Sequence, residues 1–313
     1  MILVTGGLGF IGAHVCRALL DLGESCVAAQ RSMAAPPAFL IDVPEDRLVL
    51  DTVDCVDEAS VLALGRRHRI TGIVHLASAR LGQGDPLDEL DRATASTLTM
   101  LRAARKWGAR RMVQASTIGV YAGVDEQVYR EDAMLPVSSP RALQANKKIA
   151  EILAHAVSGT SGLDVVSARI GAVWGPLGRE RSPFFGLPQL VHGAVRASAM
   201  GEFLHEDDGI DAIHVRDCAR AIALLQVAPR LNHQTYNIGR GEVTTNRDVV
   251  NALRSVTGRA AVELLPGRSP HLPPADTHMD VSRLSADTGF KPELDLERGI
   301  RAYADWLAAG HER

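Results

Sequence analysis

The glycines of the run Ile2-Leu3-Val4-Thr5-Gly6-Gly7-Leu8-Gly9-Phe10-Ile11-Gly12 are the residues whose type and spacing point most directly to chemistry. An apolar stretch enters the run, and Ile11, Val15, Leu19 and Leu22 leave it at helical spacing. Gly6, Gly9 and Gly12 therefore sit on a strand-to-helix turn. Backbone amides at the start of a helix are unpaired, the helix dipole puts positive potential there, and glycine admits a ligand without a Cβ in the way. A pyrophosphate suits such a turn, and a dinucleotide is the expected ligand.

The elements that must position this turn alternate along the chain. Strands are expected at Cys26–Ala29, at Leu48–Leu50 with Asp51 ending the run, at Ile73–Leu76, at Met112–Gln114 and at Val165–Ala168. Between them Val61, Leu64 and His68 mark one helix, Leu98, Leu101 and Ala104 a second, and Ile149, Ile152 and Leu153 a third. This order predicts an α/β fold with a doubly wound parallel sheet, covered on both faces, whose ligands lie beyond the carboxyl ends of the strands. From about Gly171 the texture turns to Gly/Pro-rich loops, which divides the chain into a dinucleotide-binding domain over 1–170 and a mostly substrate-binding lobe over 171–313, some of whose segments return to the core.

Composition narrows the classes. The 313 residues suffice for a large core, and a net charge of -3 without a basic block gives no reason to expect nucleic acid. Cys16, Cys26, Cys55 and Cys218 lack metal-ligand or disulfide spacing, so no metal is expected and the thiols read as buried groups in a cytoplasmic protein. No apolar run reaches membrane-spanning length.

With the elements placed, the chain resembles the extended short-chain dehydrogenase/reductases, the NAD(P)-dependent epimerase/dehydratase family. The resemblance rests on TGGLGFIG at 5–12, VHLAS at 74–78, ASTIGVYA at 115–122, KKIAE at 147–151, RIGAVWGP at 169–176, IHVRDCARAI at 213–222, YNIGRGEV at 236–243 and a terminal helix reaching Trp306. It implies a Rossmann fold, a small-molecule substrate and a homodimer formed through the helix before the fifth strand and the helix carrying Lys147. It further implies that Gly6, Gly9, Phe10, Ile11 and Gly12 hold the pyrophosphate, and that Asp51 and Thr52 flank the adenine. Leu76, Ala77, Ser78, Ala115, Lys147 and Ile170 would line the path to the nicotinamide. An acidic residue ending the second strand would bond the ribose hydroxyls of NAD; here Gln30 stands there, followed by Arg31 and Ser32, a set that favours the 2′-phosphate of NADP, with NAD as the alternative.

Proton transfer in this family uses a Ser or Thr after the fifth strand and a Tyr-x-x-x-Lys on the next helix. Thr117 and Lys147 fit the first and last of these places, but the residue four before Lys147 is Leu143, and counting from Ser139-Pro140 gives Arg141. Neither is a phenol, the group whose pKa a neighbouring lysine lowers into the working range. Tyr121, Lys147 itself and His192 are the candidates to replace it. The expected catalytic set is Thr117, Lys147 and Tyr121.

The substrate end departs as well. Ala172 stands where nucleotide-sugar enzymes of the family carry an asparagine, and Ile210 where they carry an arginine, both on the substrate diphosphate. Ser116, Thr117, Ala172, His192 and Arg196 are the expected substrate contacts, with Arg179, Arg181 and His205 in the same region and Phe184 and Phe185 as wall or core. His75 and His214 read as structural histidines. The resulting expectation is an NADP-dependent oxidoreductase or epimerase acting on a hydroxyl/carbonyl of a small polar, sugar-like substrate. The alternatives are a cofactor-binding protein without redox turnover and a lyase or isomerase on the same fold.

Overall fold

The computed structural model describes residues 1–78, 84–139, 141–182, 185–196, 204–258, 263–271 and 276–311. Seven parallel strands carry the site: β1 (Ile2–Thr5), β2 (Cys26–Gln30), β3 (Leu48–Thr52), β4 (Gly72–His75), β5 (Arg111–Thr117), β6 (Asp164–Ile170) and β7 (Thr235–Ile238). Their order across the sheet is β7-β6-β5-β4-β1-β2-β3. The chain runs outward from β1 in one direction and from β4 in the other, so a crevice opens at the carboxyl ends of β1 and β4.

Successive strand residues face opposite sides, and both sides are apolar. Val4, Ala28, Val113 and Val166 pack with α1 (Phe10–Asp21), while Leu3, Val27, Ile73 and Met112 pack with α2 (Glu58–Arg67), α3 (Pro86–Trp107) and α4 (Ala142–Ser161). Continuous burial on both faces is why these strands read as apolar runs rather than alternating ones. A third core joins α5 (Leu187–Arg196), α7 (Asn246–Thr257) and α8 (Leu296–Ala308) through Leu190, Val191, Val249, Leu253, Ile300 and Tyr303.

The two parts of the chain share one sheet. The edge strand β7, and α6 (Val215–Val227) packed against α1, both lie beyond residue 170. β7, Thr-Tyr-Asn-Ile, is fully buried but half polar, so it lacks the apolar run that marks the other strands and is not among the expected ones. Short strand pairs build the lobe: Ala172–Trp174 runs parallel to Ala212–His214, and Gly209–Ile210 antiparallel to Thr244–Thr245. Among the described residues no helix is long and apolar enough to cross a membrane, and no cluster of His, Cys, Asp or Glu is arranged to hold a metal.

Candidate active site

The turn after β1 is shaped by what its glycines exclude. Gly6 has φ +70°, in the left-handed region, and a Cβ there would lie 3.2 Å from the Ala77 amide nitrogen across the crevice. A Cβ on Gly12 would overlap the Gly6 carbonyl oxygen. Helix α1 starts after Gly9 with no side-chain cap and no acidic residue in its first turn, which leaves its first amides for an anion.

Beyond the turn lies a cavity of about 770 Å³. Gly6, Gly9, Phe10, Ile11, Gly12, Gln30, Arg31, Leu76, Ala77, Ser78, Ala115 and Ile170 all line it, so most of the residues expected around the cofactor converge. Three do not. Ser32 and Thr52 are exposed and outside the lining, and Asp51 is spent on structure: its carboxylate accepts from Arg67 Nη2 at 2.9 Å and bonds His68 Nε2 at 2.8 Å. Burial opposes its charge, but the bonds from His68, the Thr52 amide and Arg67 outweigh that and hold its carboxyl below the usual range. β3 runs through Thr52, and the Val53 amide still bonds the Gln30 carbonyl at 3.0 Å. The chain thus reaches the cavity later than expected, at Val53, Asp54, Cys55 and Val56. The first turns of α3, with Asp85, Asp88, Glu89 and Arg92, add a wall that no motif signalled.

A buried relay sets the loop after β4. Thr5 Oγ1 accepts from the Leu76 and Ala77 amides at 3.2 and 3.1 Å, so its proton goes to His75 Nδ1, 2.8 Å away. His75, pushed down to about 3 by burial and by Lys147, is neutral with its proton on Nε2, and it donates to Ser96 Oγ at 3.3 Å. Its role is structural, as expected.

Behind the lining residue Ala115, Lys147 Nζ donates to the Ala115 carbonyl at 2.8 Å, two residues before Thr117 on β5; neither Lys147 nor Thr117 is itself part of the described lining. Burial pushes this lysine down to about 8, against the opposing charge of Glu151. Thr117 Oγ1 accepts from the Gly119 amide at 3.2 Å as it caps a short 3₁₀ turn over Ile118–Tyr121. Leu143, half-buried, stands one turn before Lys147 on α4. Beside it is a residue that sequence reasoning passed over: Gln144 Oε1 is buried with no partner, and its Cγ and Thr117 Oγ1 both lie 3.5 Å from the point where a Cβ on Gly119 would sit. Only an orphaned amide oxygen beside Thr117 singles it out, and that is invisible in the sequence.

Five expected site residues are placed elsewhere. Tyr121 is fully buried; its hydroxyl donates to Asn237 Oδ1 at 2.8 Å and accepts from Arg169 Nη1 at 2.8 Å, its ring stacks on Tyr129, and burial pushes its phenol up to about 12. Ser116 Oγ donates to Glu151 Oε1 at 2.5 Å in the same network. His192 is fully buried, 2.7 Å from the Tyr303 hydroxyl, and Ala172 is buried in its strand pair. Arg196 Nη1, half-exposed, lies 3.4 Å from Glu180, and none of these side chains lines a described cavity.

A second cavity, of about 260 Å³, lies in the lobe. Ser182, Gln189, Asp208, Thr244, Asn246 and Ser269 give it polar walls, and Phe185, Leu187, Leu204, Ile210 and Val249 apolar ones. Phe184 lies outside the described residues.

A parallel doubly wound sheet with a glycine turn at its switch point defines an α/β protein of the Rossmann type. The chain matches the NAD dependent epimerase/dehydratase family over residues 2–239. It is 30% identical to a UDP-glucose 4-epimerase of Azospirillum brasilense, covering 97% of this chain and 91% of that one, and 28% identical to a dTDP-glucose 4,6-dehydratase of Streptomyces griseus, covering 97% and 93%. The solved UDP-glucose 4-epimerase of Thermus thermophilus in complex with NAD superposes with a TM-score of 0.77 at 26% identity, over 99% of both chains. The protein belongs to the NAD-dependent epimerase/dehydratase family and is an enzyme of that type.

Proposed function

We propose that this protein is an NADP-dependent oxidoreductase or epimerase acting on a hydroxyl/carbonyl of a small, sugar-like substrate, with an active site that lacks the usual phenol. The observation that carries the reading is the bond of Lys147 to the carbonyl of Ala115, a residue that lines the glycine-walled cavity and stands two before Thr117 on β5. The cavity fits a dinucleotide: its glycines leave room a Cβ would fill, and the α1 amides face it unpaired. When bound, the nicotinamide supplies or accepts the hydride.

Thr117 Oγ1 takes up the Gly119 amide, which directs its own O–H outward to polarise a substrate oxygen. Lys147 spends one N–H on Ala115 and keeps the others for the ribose. With leucine at 143, the group on this face that titrates near neutrality is Lys147. Thr117→Val is expected to lower kcat by about 10²-fold while leaving the cofactor Kd unchanged, measured by steady-state kinetics and by fluorescence titration of NADPH. Unchanged kcat would reject the role.

Cofactor choice rests on Gln30 and Arg31, which line the cavity without a carboxylate to repel a 2′-phosphate. Arg31→Ala is expected to weaken NADPH binding by about tenfold and to leave NADH binding nearly unchanged; equal losses would return the assignment to NAD. A homodimer through α3 and α4 belongs to the same reading, since Leu87 and Ile152 are 76% and 67% exposed on those helices. We take the compartment to be the cytoplasm on the strength of four free, buried thiols.

A further inference from the structure

We propose that the lobe cavity takes the non-reacting part of the substrate and that this part is a phosphate-free polyol rather than a nucleoside diphosphate. The inference rests on the function proposed above and names the substrate class of that site.

Position comes first. Ile170 lines the large cavity, and Ala172, two residues on, pairs with Ala212, which lines the lobe cavity. Two residues of extended chain and one strand spacing keep the two linings within about 12 Å of one another.

Charge comes second. A diphosphate held in a pocket needs cationic or paired N–H donors. The described lining of the lobe cavity contains no lysine or arginine, and it contains the carboxylate of Asp208, whose Oδ1 accepts from the Ser269 amide at 2.9 Å. The basic residues next to the lining are committed to acids. Arg268 bonds both Asp276 oxygens, at 2.8 and 2.5 Å, and Arg247 bonds Asp207 at 2.8 Å and Glu206 at 2.9 Å. Arg181, adjacent in sequence to Ser182, is exposed and outside the lining. The one ionisable group in the described lining is thus the carboxylate of Asp208, and the neighbouring guanidiniums of Arg268 and Arg247 are paired with acids, so the wall offers an anion no cation.

Size and donor set come third. About 260 Å³ is below the roughly 300–1,000 Å³ of sites for drug-sized ligands. Hydroxyls on Ser182, Thr244 and Ser269 and the Gln189 amide both donate and accept, which matches the hydroxyl groups of a polyol.

The test is calorimetric titration of UDP, as the diphosphate probe, into the NADPH-loaded protein, the wild type against Ile210→Arg and Asp208→Asn. Wild-type Kd is expected to be millimolar or weaker. Ile210→Arg, which adds a cation to the wall, is expected to tighten UDP by at least about tenfold and to make binding salt-dependent, and Asp208→Asn to tighten it less. Micromolar binding of UDP by the wild type would overturn the proposal, as would no gain in either variant. Failure to load NADPH or NADH at all would instead reject the function on which the proposal rests.

Discussion

Leu143→Tyr is expected to raise turnover in a generic carbonyl reduction by about 10²–10⁴-fold, the usual worth of a positioned general acid or base. The surroundings that such a phenol needs are present. Position 143 is one turn before Lys147, whose Nζ is fixed on the Ala115 carbonyl and whose ammonium would lower the pKa of a tyrosine beside it. The lysine itself, pushed down to about 8, is mostly charged at pH 7 and loses that charge as the pH rises through 8. The gain is therefore expected to be largest near neutrality and to shrink above pH 8, and initial rates across pH 6–9 with NADPH would measure it. A variant that binds cofactor as the wild type does and gains no turnover would mean that the chemistry has been rearranged around other groups, with Gln144 the first to examine.

Glu151→Ala is expected to cost about 3–5 kcal/mol of folding stability, because it leaves the Arg169 guanidinium buried without its counter-ion. Arg169 Nη2 lies 2.7 Å from Glu151, and both side chains are buried. Nη1 bonds the Tyr121 hydroxyl and the Glu131 carbonyl, so the pair anchors a network spanning β5, α4, β6 and β7. Urea unfolding of Glu151→Ala gives the cost, and the double substitution Glu151→Leu with Arg169→Met is expected to recover most of it, since an apolar pair removes both charges together. A loss below about 1 kcal/mol in the single variant would show that water reaches the arginine. Loss of the carboxylate also removes the field that supports the charge on Lys147, one turn away, and lowers its pKa further.

Local constraint was legible in the sequence, and distant pairing was not. The glycine turn could be read because each glycine answers a steric demand that recurs wherever a strand feeds a helix over an anion. Thr117 and Lys147 stand out through the spacing of ASTIGVYA and KKIAE, and the structure puts them on β5 and α4, joined through the bond from Lys147 to the Ala115 carbonyl. Tyr121 and Ser116 misled for the opposite reason: their partners, Asn237 and Glu151, are 116 and 35 residues away, and nothing near either residue announces the bond. The cavity wall expected at Asp51 lies instead at Val53–Val56 because one further residue of strand pairing, Gln30 with Thr52, moves the point at which the chain leaves the sheet.

The edge strand β7 carries a consequence for how the molecule is made. Synthesis completes β6 at Ile170, but the strand that covers its free edge ends only at Ile238, 68 residues later. At about 5–20 residues per second, a nascent chain passes roughly 3–14 s with the residues of β6 made and no partner strand for their outer backbone amides and carbonyls. During that interval Tyr121 lacks Asn237 and α1 lacks α6, so the half made first depends on the later half to close its sheet. A fragment ending at residue 170 would be an aggregation hazard rather than a minimal domain.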